Sequence, residues 1–262
     1  HLTFHRSHTR YAGVGLYHGA MMEDPFYTRW VTVLEEMSID QAVTVLAEHP
    51  ELADKRGSAY LETSSVGWLY GWTGNLSLHT EDYWLAGGFD LELEYAFEDI
   101  DLSYRMFRQG VKFALVENGW GIHLPHPRLP ERIRRRMHYM GTEHCYRKWK
   151  SLGLEAMLYA GLKINPVEQT FRYLSELGQG FEQLPSASRP EVLAHISHPA
   201  LLIGGTVKDG AHYEYVALAD EQFLSTENLW SSSGLRIPLE DHSLASAVVT
   251  DVWKQLHCAF NA

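Results

Sequence analysis

Apolar positions recur along the chain at two spacings, and the switches between them mark out its elements. Tyr11 to Met22 mixes apolar residues with three glycines and reads as a strand with loops at each end. Asp24-Pro25 predicts a helix start, with Asp as the cap and Pro at the first helical position. Phe26, Trp30, Val33, Leu34 and Met37 follow at helical spacing. Ser38 or Asp40 opens a second helix through Val43, Leu46 and Ala47, ending before Pro50. Tyr60 to Leu69 reads as a strand and loop. Trp68, Tyr70 and Trp72 alternate, so an extended backbone would put them on one face, as core or as a stacking platform. A short strand is expected over Gly74 to Leu78. A helical turn capped by Thr80, with Glu81 and Asp82 behind it, runs into Gly87-Gly88.

Glu98 to Gln109 carries the clearest helical pattern. Ile100, Leu102, Tyr104 and Phe107 are expected to face inward, and Gly110 stops the helix. Val111 to Glu117 reads as a strand. A turn at Asn118-Gly119 leads to Ile122 and to His123-Leu124-Pro125-His126. Leu152 to Leu177 is expected to be mostly helical. Gly178 to Pro190 has the composition of a linker. Beyond it, Ala200 to Gly205, Tyr215 to Asp220 and Ala247 to Asp251 read as strands, with a helical start at Val252. Strands alternating with connectors predict a small parallel α/β unit. The expected organisation is a first domain over 1–177, a linker over 178–190 and a second domain over 191–262.

Composition narrows the function classes. The chain has 262 residues, is 45% hydrophobic and carries a formal net charge of -11. That supports a sizeable core and argues against a nucleic-acid partner. No apolar run approaches the roughly 20 residues that span a bilayer. The chain begins at His1 without a signal peptide, which suggests a fragment or a processed chain. Cys145 and Cys258 form no CxxC pair, so a reduced, cytoplasmic setting is expected. Fifteen His, eight Trp and fourteen Tyr suit sugar and nucleotide recognition, though such residues also fill cores. His1 to Arg10 holds three His and two Arg, as a metal- or anion-binding arm or a frayed terminus. Arg128 to Lys150 holds eight Arg or Lys against two Glu. That local reversal fits a phosphate-bearing substrate, an anionic membrane surface or a solvated helix face.

The chemistry concentrates in Glu98, Asp99 and Asp101, three acids within four positions. Like charges raise one another's pKa, and a raised carboxylate is a better proton acceptor. The same residues also favour a helix N-terminus through its dipole.

Placed in order, these pieces resemble a known family. Trp72-Thr73-Gly74-Asn75-Leu76-Ser77 is followed by Gly87-Gly88-Phe89-Asp90. Glu98-Asp99-Ile100-Asp101-Leu102 with Arg105 comes next, then Gly110 with Phe113, then His123 with His126-Pro127. The series resembles the C-terminal, acceptor-side half of GT-A glycosyltransferases, and is most similar to the galactosyltransferase-like bacterial branch of the large inverting family. It covers about residues 60 to 130. The resemblance implies an α/β fold, with a GT-A-like mixed sheet flanked by helices followed by the small parallel α/β unit. It implies transfer of a sugar from a nucleotide-sugar donor, expected to be a UDP-sugar, to the hydroxyl of a glycan or other acceptor, with inversion.

Site roles follow from the same resemblance. Asp99 would be the general base, and Glu98 would hold acceptor hydroxyls. Trp72, Asn75, Gly87 and Gly88 would line the acceptor site, the glycines letting the backbone pass close to the sugar. Asp101 and Arg105 would pair to fix the helix start. His123 or His126 would bind a divalent metal, Mn or Mg, on the diphosphate. Apart from the resemblance, the basic run over 128–150 leaves peripheral membrane contact as one option.

The sequence departs from the family in two places. No nucleotide-binding half with its own Asp-x-Asp precedes residue 60, so that half is expected to have been lost, to sit on a second chain or to lie outside this sequence. Tyr95-Ala96-Phe97 stands where a Gly-Trp-Gly-like turn is usual. A non-catalytic glycan- or partner-binding half-enzyme is the alternative. The C-terminus is weakly similar to the start of a class I methyltransferase. Gly204-Gly205 stands for its glycine loop, and Ile237 to Ser243 with Ala247 to Leu256 for a later strand region. A degenerate accessory domain that does not bind S-adenosylmethionine is expected, with a methyltransferase-like protein as the second alternative.

Overall fold

The computed structural model describes residues 1–18, 36–48, 54, 66–93, 96–123, 129–160, 169–172, 189–204, 212–218, 228–231, 236–241 and 243–249. The helix expected after Asp24-Pro25, Tyr95, His126, Gly205, the linker up to residue 188 and the helical start at Val252 lie outside the described residues. The chain divides into two compact units, His1–Met137 and His138–Ala262.

In the first unit, α1 (Leu2–Ser7) precedes β1 (Tyr11–Val14) and β2 (Tyr17–His18). The single strand expected over this stretch is thus two short ones. β1 is the middle strand of a mixed sheet. It pairs antiparallel with β3 (Leu76–Ser77) and parallel with β4 (Lys112–Leu115). β2 pairs parallel with β5 (Gly121–Ile122). Ala12 and Val14 of β1 are fully buried.

Local chemistry sets the helix ends. α2 (Ile39–Glu48) opens on Ser38, whose hydroxyl accepts the Gln41 N–H at 3.3 Å while the Gln41 side chain accepts the Ser38 N–H at 2.9 Å. This reciprocal pair is a capping box. α3 (Thr80–Leu85) begins one residue earlier than expected, at a His79 cap whose ring bonds the His8 carbonyl rather than capping the helix. Its Asp82 lies buried against the Arg10 guanidinium. α3 ends where the glycines predicted. The Gly88 N–H donates to the Tyr83 carbonyl at 3.1 Å and the Gly87 N–H to the Trp84 carbonyl at 3.0 Å. Both glycines have positive φ, of 69° and 85°. This is a Schellman stop, which L-side chains enter only with strain.

α4 (Glu98–Arg108) buries Ile100, Leu102 and Tyr104 as its spacing predicted, but its fourth buried apolar residue is Met106 while Phe107 stays half-buried. The aromatic alternation at 68–72 misleads. Gly67–Tyr70 is a 3-10 turn, so Trp68 and Tyr70 are both buried without an extended backbone, and Trp72 is half-exposed. Trp68 meets Tyr104 of α4 edge-on, with ring centroids 5.1 Å apart. The chain then passes α4 so closely that a Cβ on Gly71 would lie 2.1 Å from Ser103 Oγ and 2.9 Å from the Phe113 ring.

α5 (Glu131–Trp149) crosses the boundary between the units. The second unit continues with α6 (Leu152–Ala160), α7 (Pro190–Leu193), and strands β6 (Ala200–Ile203), β7 (Tyr215–Leu218), β8 (Leu229–Ser231) and β9 (Ser246–Val249). They form a parallel sheet in the order β8-β7-β6-β9. β8 has no counterpart among the expected strands. Both faces of the sheet are covered, as a parallel sheet requires. Ala200, Leu202 and Val216 pack on one side, and Leu201, Ile203, Ala217 and Trp230 on the other. A polar pin holds Arg236. The fully buried Glu155 accepts its backbone N–H at 3.1 Å, and the Tyr146 hydroxyl donates to its carbonyl at 2.5 Å. Cys145 is buried. Among the described residues, no helix is long and apolar enough to cross a membrane.

The approach at Gly71 is testable. Its φ of -76° suits any residue, so the cost of Gly71→Ala is steric. We expect a loss of about 1–3 kcal/mol in urea unfolding, as for other overpacked sites. Pairing it with Ser103→Ala should recover part of the loss. A change below about 0.5 kcal/mol, the ordinary range for a surface position, would show that turn and helix do not meet this closely.

Candidate functional site

The site begins with a backbone distortion. Phe97 is buried, with φ 79° and ψ 0°, in the left-handed region. A bulky residue there costs on the order of 1–3 kcal/mol and persists only where its surroundings hold it. Phe97 caps α4 without a side-chain bond, and its carbonyl accepts the Asp101 N–H at 2.8 Å. The reversal sets Glu98, Asp99 and Asp101 in the first helical turn, where the helix dipole favours negative charge.

The three acids meet different surroundings. Asp101 is fully buried, and its Oδ2 accepts the Arg105 Nε–H at 2.7 Å. Arg105 also donates from Nη1 to the Ala86 carbonyl, at the end of α3. This joins α4 to the Gly87-Gly88 stop. Asp99 has no such cation among the described residues. Its Oδ1 accepts the Ile100 N–H at 2.7 Å, and the Thr73 N–H also donates to it. Burial pushes its pKa up to about 6, with the neighbouring Glu98 charge adding to the rise and the backbone donors opposing it.

Four residues along α4, on the same helix face, the Ser103 hydroxyl donates to the Gly71 carbonyl at 3.1 Å. The 71–73 turn therefore rides along the face of α4 that carries Asp99. Thr73 and Gly74 are exposed and Trp72 is half-exposed, so this edge is open to solvent. The arrangement suits a proton acceptor at a surface-accessible rim.

The other expected site residues are placed as follows. Gly87 and Gly88 form the Schellman stop beside Arg105. The Asn75 amide is bonded within the fold. Its Nδ2 donates to the Leu16 carbonyl at 2.9 Å and the Gly119 carbonyl at 2.6 Å, and its Oδ1 lies 2.9 Å from His1 Nε2. His123 follows β5 and is half-buried. It belongs to no group of three metal-ligating side chains among the described residues. Mn and Mg favour about six ligands, mostly oxygen. His126 lies outside the described residues, and no step is assigned to a cation.

Three contributors carried no role in the sequence. Thr73 acts through its backbone N–H, which side-chain identity does not reveal. The left-handed backbone of Phe97 has no sequence signal, since a bulky residue disfavours it. Ser103 lay at i+4 from Asp99, and that spacing was the available clue.

Comparison with known proteins adds a separate line. The chain is 27% identical to validoxylamine A glucosyltransferase of Streptomyces hygroscopicus subsp. limoneus, over 84% of this chain and 54% of that protein. It is 26% identical to validoxylamine A glucosyltransferase of Streptomyces hygroscopicus subsp. jinggangensis (strain 5008), over 84% of this chain and 58% of that protein. The chain thus spans little more than half the length of these relatives. No protein-family model and no solved structure matches it.

The state of Asp99 gives a linked pH prediction. A carboxyl with a pKa near 6 in the folded chain and about 4 in the unfolded chain takes up a proton on folding between those values. Stability therefore falls as pH rises through that window and is level above it. Asp99→Asn should raise stability at pH 7 by about 1–2 kcal/mol after solvent screening, and by nothing below about pH 4. Denaturant unfolding of both proteins across pH checks this. An equal difference at both ends of the range would show that the carboxyl is not desolvated.

Proposed function

We propose that this chain carries the acceptor side of an inverting, GT-A-like glycosyltransferase, with Asp99 as the general base. The observation that carries the reading is the Asp99 carboxylate: desolvated, without a cation among the described residues, and beside a turn whose Thr73 and Gly74 are exposed. In an inverting transfer, a base removes the proton from the acceptor hydroxyl as that oxygen attacks the anomeric carbon and the nucleotide diphosphate departs. A carboxylate with its pKa near 6 is mostly ionised at neutral pH yet more basic than an ordinary one, which suits that role.

Glu98, next to Asp99 and half-exposed, is assigned to the acceptor's other hydroxyls. Trp72, half-exposed on the adjoining turn, offers an apolar ring to a sugar face. Asp101 and Arg105 position the helix start and touch neither reactant. Both relatives are named glucosyltransferases, which makes a glucosyl nucleotide the first donor to test.

The test is transfer from UDP-glucose and other UDP-sugars, with turnover and binding measured in parallel. Asp99→Asn should lower kcat/KM by about 10²–10⁴-fold, the usual contribution of a general base, while circular dichroism stays unchanged. In the parent, kcat/KM should rise with pH through about 6 and then level off. Undiminished turnover in Asp99→Asn would remove the base assignment. Glycan binding with neither donor binding nor turnover, indifferent to Asp99→Asn, would favour the half-enzyme.

A further inference from the structure

The N-terminal half of α5, which the sugar-transfer reading does not use, presents an unusual surface. Between Leu129 and Met140 lie four arginines and one glutamate, in a chain whose net charge is -11. The same stretch leaves large apolar side chains in solvent: Leu129 is 53% exposed, Ile133 47%, Tyr139 51% and Met140 57%. Glu131 pairs with Arg134 and with Arg135, the latter at 2.6 Å. The exposed Arg132 and Arg136 have no acidic partner among the described residues.

Helix geometry gathers these groups. At about 100° per residue, Arg135, Tyr139, Arg132, Arg136, Met140 and Ile133 fall in that order across an arc of roughly 160°. The aliphatic side chains take one edge, the unpaired guanidiniums the middle, and the tyrosine sits among the arginines. A nucleic acid would satisfy the charges and leave Ile133 and Met140 in water. A bilayer with anionic headgroups satisfies both: aliphatic tips reach the acyl boundary, guanidiniums meet phosphates, and tyrosine lies at the interface.

We propose that this face of α5, together with Leu129, docks the protein onto an anionic lipid bilayer. The proposal stands independently of the activity assigned to Asp99.

Co-sedimentation of the full chain with extruded vesicles tests it. The parent should pellet with phosphatidylcholine vesicles containing about one third phosphatidylglycerol, and remain in solution with phosphatidylcholine alone. Added salt should weaken the binding. The Arg132→Glu/Arg136→Glu pair should weaken it at least about 25-fold, taking roughly fivefold per arginine near the surface. Arg132→Lys/Arg136→Lys should keep it within about twofold, because the headgroup field reads charge rather than guanidinium shape. Ile133→Ser/Met140→Ser should weaken it while leaving its salt dependence in place. All four positions are solvent-facing, and circular dichroism confirms folding of each variant. Equal binding to neutral vesicles, binding that survives both the Glu and the Ser pairs, or displacement by millimolar inorganic phosphate would overturn the proposal. So would a single-stranded oligonucleotide that competes through the same arginines.

Discussion

The ion pair between Asp101 and Arg105 decides what is left for the rest of the helix start. Asp101 has no exposed surface, and a buried carboxylate stripped of its partner costs about 3–5 kcal/mol. Arg105 is therefore committed to it, and its Nη1 holds the Ala86 carbonyl. Three acids share the first turn of α4, and the arginine beside them serves the deepest. Asp99 is left with backbone donors and the Glu98 charge. Its raised basicity follows from a structural pair one position beyond Ile100, and from burial that the same packing imposes.

The backbone works in the same direction. The left-handed turn at Phe97 carries strain that its buried ring has to offset. Desolvation of Asp99 adds a second cost at neutral pH. Neither helps the fold. A chain selected only for stability would put glycine or asparagine at position 97 and an amide at position 99. Two destabilising choices two positions apart, beside the exposed Thr73 and Gly74, are the pattern expected where chemistry competes with folding.

Much of this frame is legible in the sequence, because it rests on local rules. The Ser38 capping box, the Gly87-Gly88 stop, the inward row of Ile100, Leu102 and Tyr104, and the buried β6 each follow from spacing or from one residue's special chemistry. What is not legible depends on tertiary company. Trp68 and Tyr70 alternate as in a strand, but bulk on all sides buries both from a 3-10 turn, and packing overrides period. Asp82 looks like an ordinary first-turn acid and is instead held by Arg10, distant in sequence. Thr73 contributes a peptide N–H, a group every residue but proline has, so its identity is silent. Leu229 to Ser231 is three residues long, too short for a period to declare itself.

The dependence of the site on Gly71 shows how little of it is chemical in origin. Asp99 and Thr73 meet because the turn before Thr73 lies against α4, one helical turn below, where Ser103 holds the Gly71 carbonyl. That approach leaves no room for a β-carbon. A methyl group there would lift the turn from the helix face, withdraw the Thr73 N–H and admit water to Asp99. Both changes act on the carboxylate, and they oppose each other: losing a donor raises its pKa, while solvation lowers it. Burial is the larger influence in the intact site, so solvation should prevail and the carboxylate become an ordinary, weaker base. The reactivity of position 99 is in this sense set at position 71, by the absence of a side chain.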